Sequence, residues 1–175
     1  MYSLPHTGMV VTIDLLDPDI HPPNKFDVGN RLANWALAKT YDRPVPFSGP
    51  LFKLAAMANG AVTVYFSHAD SGLMTAVKAG LESPIESSTT PLAHFEVANA
   101  SGDWHPAKAV IGGNGRTVVV SSDEVPKPVA VRYGYEVNPQ RCHLYNRDGL
   151  PAAPFCSNPN LLNGMAIRVL PNNTR

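Results

Sequence analysis

The sequence predicts a short α/β unit followed by a larger all-β domain. Three observations lead there. Residues 9–15, "MVVTIDL", are β-branched and apolar on both faces, the pattern of a strand covered from both sides in a parallel sheet. A helical apolar period follows, and then a proline-rich break. After residue 50 the apolar period becomes two, with turn signals between the runs.

The predicted helix runs from about Lys25 to Lys39. Asn24 is a good N-cap, and Asp27 puts a negative charge in the first turn. Val28, Leu32, Trp35 and Ala36 form one apolar stripe, and Lys39 and Arg43 suit the negative end of the helix dipole. "DRPVPFSGP", residues 42–50, holds three prolines and a glycine, which continue neither a helix nor a central strand. The expected boundaries are an α/β unit over 1–44, a β domain over 45–157 and a loosely held tail over 158–175.

In the β region, "AVTVYF" alternates Val62, Val64 and Phe66 against Thr63, Tyr65 and Ser67. "HFEVA", "KAVI", "TVVVSS" and "VAVRYGY" read as further strands. Asn59-Gly60, Ser101-Gly102 and "GGNG" at 112–115 are turn signals between them. "ESPIESSTTP", residues 82–91, reads as a polar loop. Short strands at regular intervals predict a small β-sandwich. A strand that is apolar on both faces cannot be covered by one helix. The partners of residues 9–15 must come from the β region or from protein beyond this chain.

Composition narrows the partners. Lys+Arg and Asp+Glu both total 14, so the chain lacks the basic excess that a nucleic-acid partner demands. No apolar run is long enough to span a bilayer, and the first 15 residues lack the basic-then-apolar layout of a signal peptide. Cys142 and Cys156 match neither a metal motif nor a redox CxxC, and are expected as free thiols. His6, His94, His105 and His143 lack metal spacing, and no cofactor motif is present. "GGNG" follows no strand-to-helix pattern, so a hairpin is expected there rather than a phosphate loop.

"DPDIHPPNK", residues 17–25, carries the chemistry. In open α/β sheets, sites form in loops between strand ends and helices, and this stretch is such a loop. If it is extended, Asp17, Asp19 and His21 project to one side. Either carboxylate could hold one nitrogen of the His21 ring, leaving the other to take a proton from a serine hydroxyl. By spacing alone the commoner arrangement is a surface histidine beside carboxylates at a helix start.

"GMVVTIDLLDPDIHPPNKFDVGNRLANWALAKTY" resembles the last strand, catalytic loop and last helix of the sialate O-acetylesterases, serine esterases with an SGNH-type flavodoxin-like fold. The resemblance continues through "FSGPLFK" and "VVVSSDEVPKPVAVRYGY" to "LYNRDGLPAAPF", and so covers about residues 5–157. It implies the end of an SGNH hydrolase domain followed by a β-sandwich, and an enzyme that removes acetyl groups from sialic acid or related sugars. It implies His21 as the catalytic histidine. The superfamily often places its aspartate three residues before the histidine, where this chain has Pro18; Asp19 and Asp17 are the candidates, ahead of Asp14.

The family's Gly-Asp/Gln-Ser nucleophile block and its oxyanion-hole glycine and asparagine have no counterpart here. The resemblance therefore implies the C-terminal part of such an enzyme, inactive alone, with the missing N-terminal half supplied in cis or in trans. Relatives are mostly secreted, periplasmic or lysosomal. "SHADSGLM" offers Ser67, His68, Asp70 and Ser71, but it follows a strand and contains a turn dipeptide, so a polar loop is expected. The alternative function is a non-catalytic β-sandwich that binds carbohydrate or a protein partner; Tyr133, Tyr135 and Tyr145 could form a sugar-stacking face, although core and strand packing are the commoner use of strand tyrosines.

Overall fold

The computed structural model describes residues 7–15, 23–136, 139 and 142–161. Among them the molecule is mostly β with one α-helix.

Helix α1 spans Lys25–Lys39, the predicted range. Its first turn is closed by Asn24, whose side-chain oxygen accepts from the Asp27 backbone N–H at 3.1 Å. It ends where the Thr40 N–H still reaches the Ala36 carbonyl at 2.9 Å. The predicted apolar stripe is not its buried face. Leu32 is 49% exposed and Ala36 is exposed, whereas Arg31 is buried. The helix buries its Asp27–Arg31 side because charge partners meet it there, Lys78 of the β region for Asp27 and Asp14 of the preceding segment for Arg31.

Residues 9–15 do not form the predicted strand. They join no ladder, and the chain turns at 13–15, where the Leu15 N–H donates to the Thr12 carbonyl at 3.0 Å. A parallel strand needs a neighbour on its edge, and none of the described residues supplies one.

The strands are β1 (Leu51–Ala58), β2 (Ala61–Ser67), β3 (Leu73–Val77), β4 (Ile85–Glu86), β5 (Phe95–Ala98), β6 (Trp104–Pro106), β7 (Lys108–Ile111), β8 (Thr117–Ser121), β9 (Ala130–Tyr133), β10 (Leu144–Asn146) and β11 (Phe155–Cys156). All pairings are antiparallel, in the orders β1-β2-β8-β7, β10-β3-β4 and β11-β9-β5-β6. The β1–β2 hairpin closes at Asn59-Gly60 with φ of 52° and 76°, the left-handed pair that a two-residue turn requires. "GGNG" is the hairpin between β7 and β8, with the Gly112 N–H on the Thr117 carbonyl at 2.8 Å.

One apolar core joins the two four-stranded sheets. Val62, Val64 and Phe66 of β2 and Val118 and Val120 of β8 meet Phe95 and Val97 of β5 and Val131 and Tyr133 of β9. Phe155 stacks on Phe52 at 4.8 Å and meets Phe66 edge-on at 5.8 Å. The stretch 82–91 is not wholly a loop: β4 pairs with β3 through Ala76–Glu86 and Val77–Ile85. Its Ile85 is exposed, so pairing rather than burial makes it a strand. The tail expected from 158 begins with a short 3₁₀ turn, Pro159–Leu161, tied down by Trp104 Nε1 donating to the Leu161 carbonyl at 3.0 Å. Both cysteines are free thiols.

Candidate active site and the cleft beside it

The three residues singled out as catalytic, Asp17, Asp19 and His21, lie outside the described residues. What the structure describes is the ground on either side of them.

On one side stands Asp14. Its two carboxylate oxygens take a bidentate pair of bonds from Arg31 of α1, at 2.8 and 2.7 Å. The Tyr145 hydroxyl, from β10, donates to the same carboxylate at 3.1 Å. Arg31 also donates to the Val11 carbonyl at 2.6 Å. Asp14, the third-ranked partner for a catalytic histidine, is therefore engaged elsewhere. Burial, reinforced by the Asp14 charge, pushes the Tyr145 hydroxyl far above its ordinary pKa, so it stays a donor.

On the other side stands the first turn of α1. The Asn24 amide donates to the Gly80 carbonyl at 3.1 Å, and Asp27 pairs with Lys78 at 2.7 Å. Burial would raise the Asp27 pKa, but hydrogen bonds from Lys78 and Asn24 outweigh it and hold the carboxyl below its ordinary value. Both flanks of the 17–21 stretch are thus bonded to the β region. Sequence reasoning missed Arg31, Tyr145 and Lys78. An arginine off the apolar stripe of α1 was the one available signal; Tyr145 lies 131 residues from Asp14, and nothing local announces that pairing.

Among the cavities that adjoin α1 are two that also reach the β region. The first, about 250 Å³, is lined by Val11, Trp35, Lys39, Phe47, His68 and Leu150, among others. Trp35, Phe47 and His68 pack edge to face, each centroid 5.1 Å from the next, with the Lys39 ammonium 4.3 Å above Phe47. Burial, then the Lys39 charge, lowers the His68 pKa, keeping that ring neutral at pH 7. The second cavity is a polar cleft of about 600 Å³ between α1, the 78–86 loop and the 146–150 turn.

The serines near His68 do not serve a base. Ser71 donates to Asp148 at 2.8 Å, and Ser67 to the Leu51 carbonyl at 3.4 Å. No hydrogen bond joins a serine hydroxyl to a histidine ring among the described residues. Two of the three tyrosines take the commoner packing role, so no stacking face forms from them. Tyr133 is 0% and Tyr145 1% exposed, both spent in the core, while Tyr135 is half-buried with Arg132 set 5.0 Å from its ring. Alternation placed Tyr133 on the inner face of β9, where it packs on Phe95 at 4.6 Å.

No family model matches the chain, and no curated protein matches it. A solved structure does. A carbohydrate acetylesterase from Xanthomonas citri is 38% identical over 86% of this chain, with a TM-score of 0.74. This chain is related to a carbohydrate esterase. It spans 32% of that protein's length.

Proposed function

We propose that this chain is the histidine-bearing, C-terminal portion of a serine esterase of the sialate O-acetylesterase type, which removes acetyl groups from sialic acid or a related sugar. Residues 1–44 end an SGNH-type flavodoxin-like domain, 45–157 form a β-sandwich packed against it, and 158–175 are its tail. A serine supplied by the rest of the enzyme, in cis or in trans, attacks the ester carbonyl. His21 takes the hydroxyl proton and passes it to the departing sugar oxygen. Water then attacks the acetyl-enzyme, again with His21 as base, releasing acetate and returning the proton to serine. Asp19 or Asp17 orients the ring.

The observation that carries this reading is the 38% identity to a carbohydrate acetylesterase across most of the chain. A second supports it. Met9, Leu32 and Leu37, on α1 and the segment before it, are exposed apolar side chains that further protein would cover. The chain alone is expected to leave p-nitrophenyl acetate unhydrolysed. Mixed or fused with the remaining two-thirds of the Xanthomonas citri relative, it is expected to release acetate from acetylated sugars, and His21→Ala to remove that activity. Hydrolysis by the chain alone that vanishes in His21→Ala would refute the division of labour. Activity of the assembled enzyme that survives His21→Ala would refute the role of the histidine.

A further inference from the structure

We propose that the cleft between α1 and the 78–86 and 146–150 loops binds an uncharged stretch of glycan, the part of the substrate flanking the acetylated sugar. This deepens the esterase reading and rests on it for the acetyl group, though not for binding itself.

The cleft, at about 600 Å³, falls within the roughly 300–1,000 Å³ common for ligand sites. Its helical wall offers Asn30 and Asn34, one turn apart on the same face. Neither carboxamide has a hydrogen-bond partner among the described residues. Each presents a donor beside an acceptor, the pattern that matches two neighbouring hydroxyls. The opposite wall holds the Arg147–Glu86 pair, bidentate and half-exposed, with Arg147 Nη1 3.0 Å from Glu86 Oε2. At the lip, Phe26 is 67% exposed, and its ring offers the flat apolar surface on which the C–H face of a sugar ring packs.

The charges decide between sugars. Three cations line the cleft, and each is already engaged: Arg31 by Asp14, Lys78 by Asp27 and Arg147 by Glu86. Two further carboxylates, Glu82 and Asp148, have no cationic partner among the described residues. An anionic sugar entering here meets negative charge without a free cation to receive it. A neutral chain meets no such repulsion and can use the hydrogen-bonding groups and the Phe26 ring.

The test is an NMR titration of the isotopically labelled 175-residue chain with cellohexaose, xylohexaose, mannohexaose and 3′-sialyllactose. At least one neutral hexasaccharide should shift the side-chain amide signals of Asn30 and Asn34. The double variant Asn30→Ala/Asn34→Ala should bind it at least tenfold more weakly while keeping the spectrum of the folded chain. The proposal is overturned if no neutral hexasaccharide moves those signals, if 3′-sialyllactose binds as tightly as the best of them, or if the double variant binds undiminished. Should the assembled enzyme fail to release acetate while binding persists, only the esterase reading falls. Acetate release without binding in this cleft sinks only the cleft.

Discussion

Arg31 and Asp14 are opposite charges held almost wholly out of water between α1 and the segment before it. Burying ions is costly, and the cost is offset here by a bidentate pair, a tyrosine hydroxyl and a backbone carbonyl that together satisfy both groups. Removing one partner leaves the other charged and buried. Arg31→Met is expected to destabilise the chain by about 3–5 kcal/mol, and Tyr145→Phe by about 1.5–3 kcal/mol, as for a bond to a charged group. Urea unfolding midpoints of the two variants measure both losses, and a Tyr145→Phe loss larger than that of Arg31→Met would contradict the ranking. His68 gives a second prediction at this scale. Its folded pKa lies below the ordinary 6.5, first from burial and then from Lys39. The unfolded chain therefore binds more protons, so the contribution is whole above pH 6.5 and is lost as pH falls through the folded value. An NMR titration should place the His68 midpoint below that of an exposed histidine, and Lys39→Met should move it part of the way back.

At the scale of the element, what was legible depended on how much each residue's burial followed from its neighbours. The span of α1 was readable end to end because its cap and its first-turn acid are local features, whereas its buried face was not, since Arg31 is buried by partners outside the helix. β2 and β8 were readable because they sit in the middle of their sheet, β2 by clean alternation and β8 by its run of β-branched residues. β1 was not: it is an edge strand, mostly exposed and bulged between Phe52 and Leu54, so no alternation survives in its sequence. β10 and β11 are three and two residues long, too short for a period to show, and are fixed by distant pairing and core packing. Residues 9–15 misled for the opposite reason, since an apolar run states that it wants cover without stating by what. The connection after α1 shows the same dependence on distant partners. Gly49 lies against the 150–151 backbone, and a β-carbon there would come within 1.9 Å of the Pro151 carbonyl oxygen. The Ala153 N–H bonds to the Pro50 carbonyl at 3.0 Å beside it. Gly49→Ala must push the two segments apart, at roughly 1–3 kcal/mol or more. Gly113→Ala, with nothing within 4 Å, should cost far less. Comparable thermal midpoints for the two variants would mean that the Gly49 contact is slack.

For the molecule as a whole, the question is whether the helical part and the β part stand or fall together. A change of composition near residue 45 marks two styles of sequence, but stability follows contacts. α1 and the segment before it are bonded to the β region at Asp14–Tyr145, Asn24–Gly80 and Asp27–Lys78, and Trp35 packs on Phe47. Asp14–Tyr145 is buried and Asp27–Lys78 nearly so, and a helix of 15 residues is marginal in water without such links. The chain should therefore unfold as one cooperative unit. Its two tryptophans sit on opposite sides of the composition change, Trp35 in α1 and Trp104 in β6, and report on each part separately. Trp104→Phe leaves a fluorophore in the helix, and Trp35→Phe leaves one in the β region. Because each substitution shifts stability in its own right, far-UV circular dichroism is followed on the same samples. Within each variant the fluorescence and dichroism transitions in urea should coincide. If the helical tryptophan loses its signal well before the β structure melts, the polar links between the parts are too weak to couple them.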